Sequence, residues 1–173
     1  LAALIDKFED AYTHSITLAG GDNFLPGPFL AAGTDDGVRT VFNSVTGSTV
    51  TGTMPIAGVD IALHNLMGAQ ASALGNHEFD LGSNVLVAAF GGGSGFGGAQ
   101  FPYISANLDV SADSSLKARY TDTLATAGLE EASALKGRLA PSAIITEGGE
   151  KIGLVGATTQ ILESISSPSG TKV

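Results

Sequence analysis

Apolar residues recur at every third or fourth position in three parts of the chain. This spacing places them on one face of a helix and predicts amphipathic helices over residues 1–12, 56–68 and 81–90. In the first segment, charged side chains fill the positions between the apolar ones. Such a pattern is typical of helices that cover one face of a larger core.

Short apolar runs lie between the predicted helices. Residues 15–19, 71–74 and 101–108 predict three buried strands, because each run is too short for a helix and is bounded by turn residues. Two further runs, 141–147 and 151–157, flank a Gly-Gly pair and predict a two-stranded hairpin. Helices and strands together indicate the α/β fold class.

The chain is less regular between the first two strands. Pro and Gly residues interrupt any helix over residues 23–55, and a weak alternation over Val38–Thr53 predicts a short hairpin. The neighbouring Asp35 and Asp36 fit a solvated turn better than a calcium site, because further oxygen ligands do not follow at regular spacing.

The segment Gly91–Gly98 is rich in glycine and formally contains the pattern G-x-G-x-x-G. A dinucleotide-binding fingerprint needs a strand before this pattern and a helix after it. Here the predicted order is the reverse. The segment is therefore interpreted as a flexible linker without a nucleotide role.

The later part of the chain is polar and mixed from residue 109 to residue 140. Leucines in 121–127 and 128–139 fit either one helix or a helix and a loop. A stretch rich in Ser, Pro and Gly predicts a closing loop over residues 164–170.

The length and the amino-acid composition of the chain exclude several kinds of function. A chain of 173 residues can form one domain with a core, and its net charge of −9 with only 8 Lys and Arg argues against a nucleic-acid polymer as partner. The lack of cysteine excludes disulfides and thiolate zinc sites. No apolar run approaches the roughly 20 residues of a transmembrane helix. The chain begins within a predicted helix, without Met or a leader, which indicates a processed or excised piece.

Candidate chemistry follows two of the predicted strands. Gly20-Gly21-Asp22 comes after the first strand, and Gly75-Asn76-His77-Glu78-Phe79-Asp80 comes after the second. In open α/β sheets, ligands bind at the carboxyl ends of the strands. Carboxylate and amide oxygens suit divalent metal ions, and a histidine beside them can stabilise charge on a phosphoryl oxygen or protonate the leaving group. The two turns thus predict a metal and phosphate site.

The other polar residues receive structural interpretations. Glu78 is expected to support the site rather than bind metal, and Asp80 to cap the helix that begins near Leu81. His14 is expected to be a solvated loop residue and His64 a packing or surface residue.

The motif pair resembles that of the calcineurin-like metallophosphoesterases, and more closely that of the N-terminal catalytic domain of the 5'-nucleotidase/UDP-sugar hydrolase family. Residues 101–107 and 151–159 also resemble later core strands of that family. The resemblance implies a four-layer α-β-β-α sandwich with two divalent metal ions, drawn from Zn, Mn, Mg, Ca or Fe. It assigns Asp22 as the residue that bridges both metals, Asn76 as a ligand of the second metal and His77 as the catalytic histidine.

The same resemblance implies a small phosphomonoester or nucleotide as substrate, and export to the periplasm or the extracellular space. The family's Asp-x-His motif and its Gly-His and Gly-His-x-His motifs are not found in residues 1–173. The chain is therefore expected to be part of the catalytic domain, without its first strand and its C-terminal part, and nearly inactive alone. Self-association through the exposed sheet edge is one way to cover that edge. The alternative is a non-catalytic binding or structural module that retains the fold.

Overall fold

The computed structural model describes residues 1–127 and 130–173. Seven α-helices lie within these ranges, and none of them is both long enough and apolar enough to cross a bilayer. Their bounds are α1 Ala2–Ala11, α2 Pro28–Ala32, α3 Asp36–Thr46, α4 Gly58–Leu66, α5 Ser83–Gly91, α6 Ser114–Lys117 and α7 Leu162–Ile165.

The strands form two sheets. A parallel sheet has the order β1-β2-β3-β4, and an antiparallel hairpin pairs β5 with β6. The strands are β1 Leu18–Ala19, β2 Ala71–Ala73, β3 Tyr103–Ile104, β4 Leu139–Ala140, β5 Ser142–Glu147 and β6 Glu150–Val155. The predicted α/β fold with its hairpin is confirmed. Strand β1 is at the edge of the described parallel sheet, and chain association over that edge stays a prediction.

Successive residues of β3 serve different cores, which shows that the parallel sheet is covered on both faces. Tyr103 belongs to the larger core with residues of the helices, such as Phe90, whose ring centroid lies 5.4 Å away. Ile104 belongs to a second core with Ala143 and Ile145 of the hairpin. Because both faces are buried, these strands are short apolar runs rather than alternating ones.

Helix α3 replaces the hairpin predicted for Val38–Thr53, and that prediction was wrong. Asp35 caps the helix, since its Oδ1 atom accepts hydrogen bonds from the amides of Gly37 and Val38 at 2.8 and 3.2 Å. Asp36, in the first turn, forms an ion pair with Arg39 at 2.6 Å. The acidic pair is thus a helix start rather than a solvated turn.

The segment Gly91–Gly98 is a packed turn, not the flexible linker predicted from its composition. Gly93 and Phe96 exchange backbone hydrogen bonds of 2.8 Å, and Phe96 is buried. A side chain at Gly95 would approach the carbonyl oxygen of Thr49 to 2.6 Å. Glycine here permits close contact between two backbones.

The predicted helical region between 121 and 139 is mostly short turns. Two 3-10 helices cover Thr123–Thr126 and Ala132–Ala134, while Leu139 belongs to strand β4. Residues 128 and 129, part of the predicted segment 128–139, lie outside the described residues. The closing loop is also preceded by α7, which overlaps the predicted loop at residues 164 and 165.

Candidate active site

The ends of β1 and β2 bring the two predicted motifs together. The strands are parallel and in register, with Leu18 opposite Ala71 and Ala19 opposite Ser72. The turns that follow, 20–22 and 75–77, therefore lie at the same edge of the sheet.

Asp22 is held directly against the second turn. Its Oδ1 atom accepts a hydrogen bond from the amide of His77 at 3.1 Å, and its own backbone has a left-handed φ of 53°. The other carboxylate oxygen of Asp22 and the side-chain amide of Asn76 make no hydrogen bond to the described residues. These atoms are the oxygen donors that the turn leaves available for a ligand.

The buried side chain of Glu78 links the two turns. It is 1% exposed, and its carboxylate accepts hydrogen bonds from the amides of Asp22 at 3.1 Å, Asn23 at 2.6 Å and Gly75 at 2.9 Å. Burial raises the pKa of Glu78, and the hydrogen bonds from the amides of Asn23 and Asp22 oppose that rise. Both carboxylate oxygens are engaged in this way, which agrees with the supporting role predicted for this residue.

His77 and Asp80 form a close pair on the exposed side of the second turn. The His77 Nδ1 atom lies 2.6 Å from Asp80 Oδ2, and the two side chains are 39% and 15% exposed. The hydrogen bond with Asp80 raises the pKa of His77 above its ordinary value, and the negative charges of Asp80, Asp22 and Glu78 act in the same direction. With Nδ1 directed at the carboxylate, Nε2 is the ring nitrogen left for a substrate.

The helix-capping role predicted for Asp80 was wrong. Helix α5 begins only at Ser83, and its N-cap residue is Gly82, without a side-chain cap. Asp80 instead contacts His77 through one oxygen and the hydroxyl of Ser166, at 2.7 Å, through the other. The intervening 3-10 turn at His77–Phe79 delays the helix and turns Asp80 toward the histidine.

A polar network centred on the buried side chains of Ser105 and Thr158 supports the end of β2 and was not anticipated from the sequence. The Thr158 hydroxyl donates to the carbonyl of Leu74 at 2.7 Å and lies 2.8 Å from the hydroxyl of Ser105. Asn107 exchanges hydrogen bonds with the Thr158 backbone at 2.8 and 2.9 Å. The network ties the residue before Gly75 to the region after β6. No local pattern reveals it, since its members come from distant segments.

The other two histidines have their hydrogen-bond partners outside the two turns, and His14 is an exposed loop residue, as predicted. His14 is exposed and lies 3.1 Å from a carboxylate oxygen of Glu147. His64 contacts the backbone oxygen of Asp60, one helical turn earlier, at 2.8 Å. Neither makes a hydrogen bond to the 75–80 turn.

The donors at the two turns fit hard or borderline divalent ions. Asp22 supplies a carboxylate oxygen and Asn76 a neutral amide oxygen, both suited to Mg, Mn, Ca, Zn or Fe. Asp22 also borders an open groove of about 290 Å³ between α1 and β1. Within residues 1–127 and 130–173, no three His, Cys, Asp or Glu side chains form a group that could hold an ion.

Comparison of the sequence with known proteins finds nucleotide-hydrolysing enzymes. The chain is 33% identical over 120 residues to the trifunctional nucleotide phosphoesterase protein YfkN of Bacillus subtilis, which covers 63% of the chain and 8% of that protein. It is 34% identical over 102 residues to the 5'-nucleotidase of Diplobatis ommata, which covers 59% of the chain and 14% of that protein. The chain thus spans a small part of the length of these relatives. No protein-family model matches it.

Solved structures match the fold over almost the whole chain. The 5'-nucleotidase precursor of Thermus thermophilus superposes with a TM-score of 0.63 and 26% identity, covering 99% of this chain and 25% of that one. The NAD nucleotidase of Haemophilus influenzae shares the fold, with a TM-score of 0.58, 22% identity and the same two coverages. Sequence and fold agree: both comparisons match this chain to a part of 5'-nucleotidases, the family that its two motifs resemble.

Proposed function

We propose that the protein containing this chain is a metal-dependent phosphomonoester hydrolase of the 5'-nucleotidase type. Residues 1–173 are part of its catalytic domain, and further metal ligands come from other parts of the protein. The observation that carries this proposal is the convergence of Asp22, Asn76 and the His77–Asp80 pair at one sheet edge. The names of the sequence relatives support the hydrolase class.

Asp22 and Asn76 would hold two divalent ions at this edge, with Asp22 as the bridging ligand. When bound, such ions lower the pKa of a water molecule and neutralise charge on a phosphate group. Glu78 keeps the two turns at a fixed separation, because one buried carboxylate holds amides from both. The ligands are therefore pre-positioned by the fold before any ion binds.

His77 acts on the phosphate in this proposal. Its Nδ1–H group donates to Asp80, so its Nε2 atom can donate to a phosphoryl oxygen or to the leaving-group oxygen. The Asp80 carboxylate fixes the ring orientation and stabilises the imidazolium form by its charge. Asp22 also accepts a hydrogen bond from the backbone amide of His77. The backbone and the ring of His77 are therefore both held in place relative to the proposed metal ligand Asp22.

Nucleotides are the substrate class that the named relatives favour. An exported location is proposed from the resemblance to the 5'-nucleotidase family. The test is phosphate release from AMP and from p-nitrophenyl phosphate by the full-length protein that contains this sequence. The protein would be treated with a chelator and then supplied with Mn²⁺, Zn²⁺ or Mg²⁺. We expect activity that is lost with the chelator and restored by at least one metal. Nucleotide binding without phosphate release under every metal would instead favour the non-catalytic module.

A further inference from the structure

Three side chains, those of Ser166, Asp80 and His77, form a hydrogen-bonded chain that ends at the proposed catalytic histidine. The His77 Nδ1 atom lies 2.6 Å from Asp80 Oδ2, and Asp80 Oδ1 lies 2.7 Å from the Ser166 hydroxyl oxygen. Each oxygen of the carboxylate therefore has its own side-chain partner. Asp80 and Ser166 are 86 positions apart in the sequence.

The hydrogen bond from Ser166 restricts the rotation of the Asp80 carboxylate, which the contact with His77 alone would leave less restricted. Rotation about the last bond of an aspartate side chain has broad minima. A hydrogen bond at one oxygen permits the carboxylate to swing, whereas hydrogen bonds at both oxygens define its plane. The orientation of the Asp80 plane in turn fixes the direction in which the His77 ring is held.

The Ser166 hydroxyl has one proton and two acceptors within reach. The Asp80 oxygen is at 2.7 Å and the carbonyl oxygen of Asn76 at 2.8 Å. A charged carboxylate is the stronger acceptor, so the proton is directed mainly at Asp80. The same hydroxyl thus lies beside both the proposed ligand residue and the histidine's partner.

Ser166 is itself held in place by the fold. It follows α7, whose Leu162 is fully buried, and its amide donates to the Leu162 carbonyl at 3.0 Å. The next amide, that of Ser167, donates to the carbonyl of Phe79 at 3.3 Å. The segment that carries Ser166 is therefore fastened to the 76–80 turn by backbone as well as side-chain contacts, and it can act as a fixed reference.

We infer that Ser166 is a positioning residue for phosphoester hydrolysis, which fixes the Asp80 carboxylate and through it the His77 ring. This inference rests on the proposed function. Ser166 acts through Asp80 and not on substrate, so its hydroxyl affects the rate of the chemical step and leaves substrate affinity unchanged.

The experiment compares Ser166→Ala with Ser166→Thr, which keeps the hydroxyl, and with Ser164→Ala as a matched control in the full-length protein. Ser164 is exposed on α7, two positions before Ser166. We expect Ser166→Ala to lower kcat on the order of tenfold with an unchanged KM, because a small misplacement of a catalytic group is costly. Ser166→Thr and Ser164→Ala should keep the wild-type kcat.

A spectroscopic measurement gives a second, independent result. In protein labelled with ¹⁵N-histidine each histidine gives its own ring signals, and those that disappear in His77→Gln belong to His77. We expect the Nδ1–H signal of His77 to shift or broaden in Ser166→Ala and to stay unchanged in Ser166→Thr and Ser164→Ala, all at one fixed pH.

The inference is overturned if Ser166→Ala keeps both the wild-type kcat and the wild-type His77 signal. It is also overturned if Ser166→Thr loses as much activity as Ser166→Ala, since the hydroxyl would then not be the relevant group. A wild-type protein without phosphatase activity would refute the proposed function and the catalytic consequence inferred for Ser166. The ring signal would then still decide whether Ser166 orients His77 through Asp80.

Discussion

The Asp22 carboxylate lies directly against the Cα atom of Gly75. A side chain at position 75 would overlap Oδ1 of Asp22 and would approach its backbone nitrogen to 2.6 Å. Glycine at this point of the second motif is therefore a steric requirement of the first motif. The two turns are complementary in shape as well as in chemistry, although Asp22 and Gly75 lie 53 positions apart in the sequence.

Replacement of Gly75 by alanine should displace Asp22. We expect a destabilisation of about 1–3 kcal/mol from overpacking, together with weaker metal binding and lower phosphatase activity. Gly20→Ala is the matched control, because a Cβ atom at Gly20 would meet nothing within 4 Å. Denaturant unfolding and metal titration measure the two effects. Equal stability and equal metal affinity of the two variants would contradict this steric role of Gly75.

Glu78→Gln should destabilise the fold although the two side chains have the same shape. The amide group of glutamine would direct N–H groups at backbone amides that now donate to the carboxylate, and it removes a charge-assisted acceptor. We expect a loss of about 1–3 kcal/mol in the free energy of unfolding, as for a buried donor left without its partner. Glu163→Gln, at an exposed position of α7, should be neutral. A Glu78→Gln protein as stable as wild type would show that the carboxylate does not join the turns.

Asp22→Ala and His77→Gln should separate metal binding from the chemical step in the full-length protein. The first variant loses a proposed metal ligand, and we expect it to weaken metal affinity by at least the roughly 10- to 100-fold cost of changes around a metal. The second should lower kcat by about 10²- to 10⁴-fold, which is the range for a general acid–base group, with metal affinity retained. Metal titration and steady-state kinetics measure both quantities. Metal loss in His77→Gln would contradict the assigned roles.

Thr158→Val should lower the stability of the protein by removing a hydrogen bond next to the second turn. The substitution preserves shape and removes the hydroxyl that donates to the Leu74 carbonyl, which leaves a buried acceptor without its partner. We expect about 1–3 kcal/mol of destabilisation. The neighbouring Thr159 is exposed, so Thr159→Val serves as the control. Unfolding curves that coincide for both variants would show that the network is not important for stability.

Local patterns predicted most elements whose signals lie within a few residues. Helix α1, the strand before Gly75 and the β5–β6 hairpin all form where periodicity and turn residues place them. Helix α3 was missed because Pro and Gly residues before it obscured the capping role of Asp35. Strand β4 has two residues and becomes a strand only by pairing with β3, which no local pattern reveals.

For the candidate site, the residue types, their positions after two strands and the resemblance to a phosphoesterase family could be read from the sequence. How the side chains are used depends on the folded arrangement of the chain. Asp80 faces His77 because a 3-10 turn, not a helix, follows Asn76. Ser166 reaches the same carboxylate from a segment 86 residues away. Such contacts depend on chain packing over long sequence separations, and the local preferences of residues contain no information about them.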